Sequence, residues 1–274
     1  IIATLAETYR DHNYLLQGNL LSDTEKQFFN SLEEYSKYPQ RKNPVTDTTI
    51  IRALKDLSYF LSRQYGKKVL IFLDEYDTPL QEAYTNGYWN ELTPLIRGLF
   101  NSTFKTNPYL ERAMLTGITR VSKESIFSDM NNLEVVTTTS NKYSTSFGFT
   151  EAEVIGSLKL MGVESRMEQI KYWYDGFKFG KQPDIYNPWS ITKFLDSGEL
   201  GTYWADTSSN KLASDLIQQG TPQLKMSMED LLAGKVLETE LDEQVIFEQL
   251  PKKRGAIWSL LLAAGYLNVI NRDF

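Results

Sequence analysis

Phe28, Phe29, Leu32 and Tyr35 recur at helical spacing behind Ser22-Asp23-Thr24-Glu25. That quartet has the form of a capping box, in which Ser22 accepts from a first-turn N–H while Glu25 reaches back. Ser36 to Pro44 is polar and flanked by prolines, which predicts a loop. A second stripe, Ile50, Leu54, Leu57 and Leu61, predicts a helix from about Asp47 that stops at Gly66. The pattern then changes period. Val69 to Leu73 is an unbroken apolar run bounded by lysines and acids, as expected of a strand buried on both faces. Leu92, Leu95, Ile96, Leu99 and Phe100 mark another amphipathic helix. Arg112 to Thr116 predicts a second strand and Ser144 to Phe149 a third. Such alternation of helix and strand predicts an α/β layered fold for residues 1–149.

The pattern changes again after Thr150. Thr150-Glu151-Ala152-Glu153 repeats the capping-box form, and Asn187-Pro188 suits an N-cap followed by the first helical position. Leu212 to Gln219 and Ile257 to Ala264 read as helices, while Phe177 to Tyr186 and Val236 to Phe247 read as short strand pairs. Residues 150–274 are therefore expected to form a smaller, mainly helical region with hairpins.

Composition narrows the chemistry. Of 274 residues, 41% are hydrophobic and 23% charged, a globular balance that excludes wholesale disorder. Cys is absent, which excludes disulfides, thiolate metal sites and a catalytic thiol. With His12 as the one histidine, a multi-histidine metal centre is excluded too. His12 itself reads as a surface or helix-end residue. A net charge of −6 argues against a chain that binds nucleic acid over its whole surface. The longest apolar stretch, Trp258 to Ile270, falls short of the roughly 20 residues of a spanning helix. The first residues lack the basic and apolar regions of a secretory signal. The expectation is a cytoplasmic protein with no membrane partner. Trp173, Trp189, Trp204 and Trp258 read as core of the second region rather than as stacking platforms for bases.

The sharpest chemical signal lies where the first strand ends, at Asp74-Glu75-Tyr76-Asp77. Ligands of open α/β sheets sit outside the carboxyl ends of the strands. Adjacent acids at a buried strand end repel unless solvent or a cation compensates. In P-loop NTPases the first such acid holds Mg²⁺ and its neighbour can act as general base toward water. The alternative is a strand ending in solvated acids before a Thr78-Pro79 turn. The second strand ends in Thr116-Gly117-Ile118-Thr119-Arg120. There Thr116 could hold a γ-phosphate or orient water and Arg120 could add positive charge; the alternative is an ordinary strand-to-helix turn.

Seven blocks in order carry a resemblance: Val69 to Leu80, Leu115 to Arg120, Ile126 to Leu133, Phe147 to Glu151, Tyr174 to Phe179, Ile185 to Ser190 and Ile257 to Leu267. In these the chain resembles the AAA-ATPase-like family of bacterial proteins, many of which carry a C-terminal PD-(D/E)xK-type nuclease domain. The resemblance implies a P-loop NTPase-like parallel sheet over residues 1–149, followed by a lid or winged-helix-like region over 150–274. It implies ATP and Mg²⁺ as cofactors. Asp74 would be the Mg²⁺ acid, Glu75 the catalytic base, and Thr116 or Arg120 the sensor. Asn187, with Pro188 and Trp189, would belong to a lid over the nucleotide. A homo-oligomer and, through an attached nuclease, a nucleic acid are further partners the resemblance admits.

The family's nucleotide loop should precede residue 1, and no G-x-x-x-x-G-K-[ST] occurs in the 274 residues. Such a loop supplies the nest of N–H groups and the lysine that hold the phosphates. The expectation is a truncated ATP-binding and hydrolysing module that drives or regulates an attached effector, the chain alone being inactive. Two other readings stand beside it. One is a non-catalytic interaction domain derived from an ATPase. The other is a metal-dependent nuclease using Asp74, Glu75 and Asp77. Arg97, on the helix after the first strand, is either an arginine finger or a surface charge.

Overall fold

The computed structural model describes residues 1–37, 45–118, 126–127, 130–204, 211–218, 220–241 and 255–271. Two compact units divide the chain, Ile1–Leu133 and Glu134–Phe274.

Three helices open the first unit: α1 (Ile2–Asp11), α2 (Asp23–Lys37) and α3 (Asp47–Tyr65). The capping box ahead of α2 is formed. Ser22 N–H donates to Glu25 Oε2 at 2.7 Å, and Glu25 N–H donates to Ser22 Oγ at 3.4 Å. At the start of α3, Thr46 Oγ1 accepts from Thr49 N–H at 3.3 Å. Gly66 ends the helix in the left-handed conformation, with φ of 63°. The predicted stripe faces the core: Ile50 and Leu57 are buried, and Leu54 and Leu61 pack against the same cluster. Its centre is aromatic. The Tyr9 ring lies 4.8 Å from that of Phe29, and the Tyr9 hydroxyl donates to the Ala53 carbonyl at 2.8 Å. His12 caps the end of α1, its Nδ1 2.8 Å from the Thr8 carbonyl. Ser36 and Lys37 continue α2; the rest of the expected loop, residues 38–44, lies outside the described residues.

Strand β1 (Val69–Leu73) comes next, then α4 (Thr78–Thr85), α5 (Trp89–Phe100), a π-helical turn over Asn101–Lys105, and β2 (Leu110–Leu115). β1 and β2 are parallel, with Ile71 opposite Ala113 and Leu73 opposite Leu115. The helical crossover between them is what a parallel pair requires. The expected burial of β1 on both faces is not met. Leu70 is 56% exposed and Phe72 74%, and their partners Arg112 and Met114 are exposed as well. An apolar run shows that both faces suit burial; it does not encode what covers the second.

In the second unit, residues 141–147 form turns and bends, so the third strand expected over Ser144 to Phe149 shrinks to β3 (Phe149–Thr150). The backbone turns there instead of pairing, with Ser146 N–H donating to the Tyr143 carbonyl at 3.0 Å. A separate turn precedes it, where the Thr137 N–H donates to Ser140 Oγ. β3 joins β4 (Asp175–Phe179) and β5 (Gln182–Tyr186) in an antiparallel sheet of order β3-β5-β4. Around it stand α6 (Glu151–Leu160), α7 (Met167–Tyr174) and α8 (Pro188–Ser197). The capping box of α6 is complete at Thr150 and Glu153. Val154, Leu158, Ile170, Tyr186, Ile191 and Phe194 make the core.

Helices α9 (Lys211–Gln218), α10 (Pro222–Leu232) and α11 (Ala256–Ala263) complete the chain, with Ile257, Trp258 and Leu261 at the heart of a smaller cluster. Residues 236–241 have no regular structure, and the remainder of the hairpin expected from Val236 lies outside the described residues. Of the four tryptophans expected in the core, Trp258 is buried, while Trp173, Trp189 and Trp204 are exposed. Helix and sheet are thus both present, with one parallel and one antiparallel sheet among the described residues. No described helix is long and apolar enough to cross a membrane.

Candidate functional site

The parallel register brings the ends of β1 and β2 side by side. Leu73 faces Leu115, so Asp74 and Thr116 leave the sheet together. Two backbone bonds lace these ends: Thr116 N–H donates to the Leu73 carbonyl at 2.9 Å, and Tyr76 N–H donates to the Thr116 carbonyl at 3.0 Å. Across this lacing, Thr116 Oγ1 donates to Asp74 Oδ1. The same oxygen accepts the Glu75 N–H at 3.0 Å. The sequence separates Asp74 and Thr116 by 42 residues, and the fold brings them into contact.

Glu75 adopts φ of 50°, in the left-handed region. That conformation costs a residue with a Cβ about 1–2 kcal/mol. It turns the chain sharply between strand and α4, and leaves Asp74 and Glu75 both exposed. Thr78 N–H closes the turn on the Glu75 carbonyl at 3.1 Å. Strain of this kind persists where the surroundings fix it, and here the surroundings are aromatic. The Tyr76 ring sits edge-on to Phe127 at 5.5 Å and to Phe100 at 6.3 Å. Phe100 in turn stacks on Phe127.

The third acid of the cluster behaves differently. Asp77 is 1% exposed, and Gln81 Nε2 donates to its Oδ2 at 2.8 Å. Its Oδ1 occupies the space beside Gly117, where a Cβ would overlap it and would also lie 2.9 Å from Tyr76 Cε1. Asp77 and the backbone at Gly117 therefore approach so closely that no side chain fits at position 117. Nothing in the apolar periodicity marks this pair. The available signal was the combination of a fourth-position acid after the strand with a glycine immediately after Thr116.

An exposed carboxylate beside a threonine hydroxyl is a hard-oxygen donor set. That chemistry fits Mg²⁺, which takes one or two protein carboxylates and completes its shell with water and phosphate oxygens. Among the described residues no group of three or more His, Asp or Glu side chains converges on a point that could hold a metal. Asp74, Glu75 and Asp77 do not converge because Asp77 turns inward.

The other expected site residues are placed as follows. Arg120 lies outside the described residues. Asn187 belongs to the second unit, where it caps α8: its Oδ1 accepts from Ser190 N–H at 3.0 Å. Beside it Lys193 Nζ rests 4.9 Å over the half-exposed Trp189 ring. Arg97 lies in the last turn of α5. Asn132 Nδ2 donates to the Phe104 carbonyl at 3.1 Å, tying residues 130–133 to the π-helical turn.

Residues 7–127 match the family described as a predicted AAA-ATPase. The match takes in both parallel strands and every described residue of their joined ends, and it supports an AAA-ATPase-like origin for this part of the chain. An "Uncharacterized protein in vnfD 5'region" of Azotobacter chroococcum mcd 1 is 29% identical over 169 residues. The aligned part is 60% of this chain and 32% of that protein, so the chain spans about a third of its relative's length. No solved structure matches.

Proposed function

We propose that Asp74, Glu75 and Thr116 form the acid-and-sensor part of a Mg²⁺-dependent ATP-hydrolysing module of the P-loop class. The observation that carries this reading is the contact between Asp74 and Thr116 across the ends of adjacent parallel strands, inside the matched segment. In this reading Asp74 holds Mg²⁺, which supplies charge neutralisation for the phosphates. Glu75 accepts the proton of the attacking water as its oxygen bonds to the γ-phosphorus and the β,γ-bridging bond breaks to release ADP. Thr116 fixes the Asp74 carboxylate, and Arg120 adds positive charge. Asn187 and Trp189 belong to a lid.

The same reading accounts for the uncovered sheet. Parallel strands are as a rule covered on both faces. Leu70, Phe72 and Met114 instead present apolar surface. Further polypeptide, carrying the phosphate-binding loop that these 274 residues lack, would cover them. The working protein would couple ATP turnover to an effector such as a nuclease, through which nucleic acid would become a partner, and would act in the cytoplasm as a monomer or homo-oligomer.

A second reading, a non-catalytic interaction domain derived from an ATPase, is favoured by the exposed apolar face of Leu70, Phe72 and Met114, which a partner would cover. Titrating Mg²⁺-ATP into the full-length natural protein and its Asp74→Asn variant separates the two. The ATPase reading expects affinity to fall roughly tenfold or more, the effect of losing one charge-assisted ligand. Equal affinity, or no binding by either protein, would favour the interaction domain.

A further inference from the structure

Lys171 of α7 occupies the centre of a polar knot in the second unit. Its Nζ lies 2.7 Å from Glu151 Oε1 on α6, 3.2 Å from Asp184 Oδ1 on β5, and 3.9 Å from Asp175 Oδ2 at the start of β4. The Tyr186 hydroxyl of β5 donates to the same Glu151 oxygen at 3.4 Å, from a side chain with no exposure. Three carboxylates therefore share one lysine, and the remaining neighbour from β3, Thr150, brings no ionisable group. Asp184 holds φ of 54°, a left-handed conformation inside a strand, and its carboxylate converges with that of Asp175 on the one Lys171 nitrogen and pairs with it.

We infer that the Asp175–Asp184 pair is a proton-operated clasp: one shared proton fastens the start of β4 to β5 beside Lys171, and its loss loosens the two strands. The proton resides on Asp175, which donates to the Asp184 carboxylate. Burial, then the bond to Asp184 and its charge, push the Asp175 carboxyl up to about 6. The hydrogen bond from Lys171 leads in holding Asp184 below its usual range, followed by the one from Asp175. Above pH 6 the bond between the two acids is lost, and two carboxylates face each other beside a lysine already engaged with Glu151. β5 runs straight into Asn187 and α8, so the clasp also sets how firmly that helix start is held.

The sign follows from linkage. Between the unfolded value near 4 and about 6, the unfolded chain releases the Asp175 proton while the folded chain keeps it. Stability contributed by this group falls as pH rises through that window and stays lowered above it. Asp184 works in the opposite sense and loses its contribution only as pH falls below about 4.

Hydrogen exchange on the whole chain tests the clasp. After correction for intrinsic rates, amides of Phe177, Phe179 and Ile185 should exchange roughly tenfold faster at pH 7.5 than at pH 5.0, the equivalent of about one pKa unit. In Asp175→Asn, whose amide still donates to Asp184 but does not titrate, the two pH values should give equal protection. Equal protection in the wild type, or a pH dependence that survives the substitution, would overturn the inference. Carbon-13 titration of the wild-type aspartate carboxyls needs no variant. One aspartate should titrate near pH 6, and a set in which every aspartate titrates below pH 5 would also overturn it. Neither measurement depends on the proposed ATP chemistry.

Discussion

The parallel pair of the first unit leaves Phe72 three-quarters exposed, while the antiparallel sheet of the second buries Ile185 and Tyr186 outright. Both sheets are small and both carry acids at strand ends. They differ in what covers them. β5 is the middle strand of its sheet, and its residues Ile185 and Tyr186 are covered within their own unit, where Tyr186 shares a core with Val154, Ile170 and Ile191. β1 has one strand neighbour among the described residues and an apolar face turned to solvent. The acids follow the same division. Around Lys171 they are compensated locally, whereas Asp74 and Glu75 stand exposed on a strained turn.

The comparison can be broken at several points. Tyr186→Ala removes a fully buried ring and its hydroxyl contact, and should destabilise the second unit by about 3–5 kcal/mol in urea unfolding. A loss below about 1 kcal/mol would mean that its core is not self-sufficient. Gly117→Ala forces a methyl against Asp77 and should lower the stability of the first unit by about 1–3 kcal/mol. Most of that loss should vanish in an Asp77→Ala background, which a double-mutant cycle would measure. Glu75→Gly relieves the left-handed turn and should stabilise by about 0.5 kcal/mol once glycine's greater unfolded-state freedom is subtracted. Phe72→Ala should change this chain by less than about 0.5 kcal/mol, as for other exposed positions. In a longer protein that covers the face, the same substitution should cost about 3 kcal/mol. Equal small effects in both would refute the proposal that the face is covered there.

Local rules made most of the frame legible. Capping boxes at Ser22 and Thr150, the N-cap at Asn187 and the stripe from Ile50 act through nearest neighbours, and each formed where the pattern placed it. Val69 to Leu73 became a strand because its apolar run is short and bounded by charges. Ser144 to Phe149 did not: the backbone turns there, with Ser146 N–H donating to the Tyr143 carbonyl. The exposure of Trp173 and Trp189 was hidden, since a large apolar side chain signals burial only when something packs against it. For the site, the proximity of Asp74 and Glu75 was plain in the sequence. Their contact with Thr116 needed the parallel register, and the inward turn of Asp77 needed the gap beside Gly117.

The most direct test of the central claim is ATP turnover by the full-length natural protein carrying Glu75→Gln. If Glu75 is the base at the joined strand ends, ATP affinity should stay within about twofold, while the hydrolysis rate falls roughly 10²–10⁴-fold. Turnover that survives the substitution, or binding and turnover lost together, would contradict the assignment.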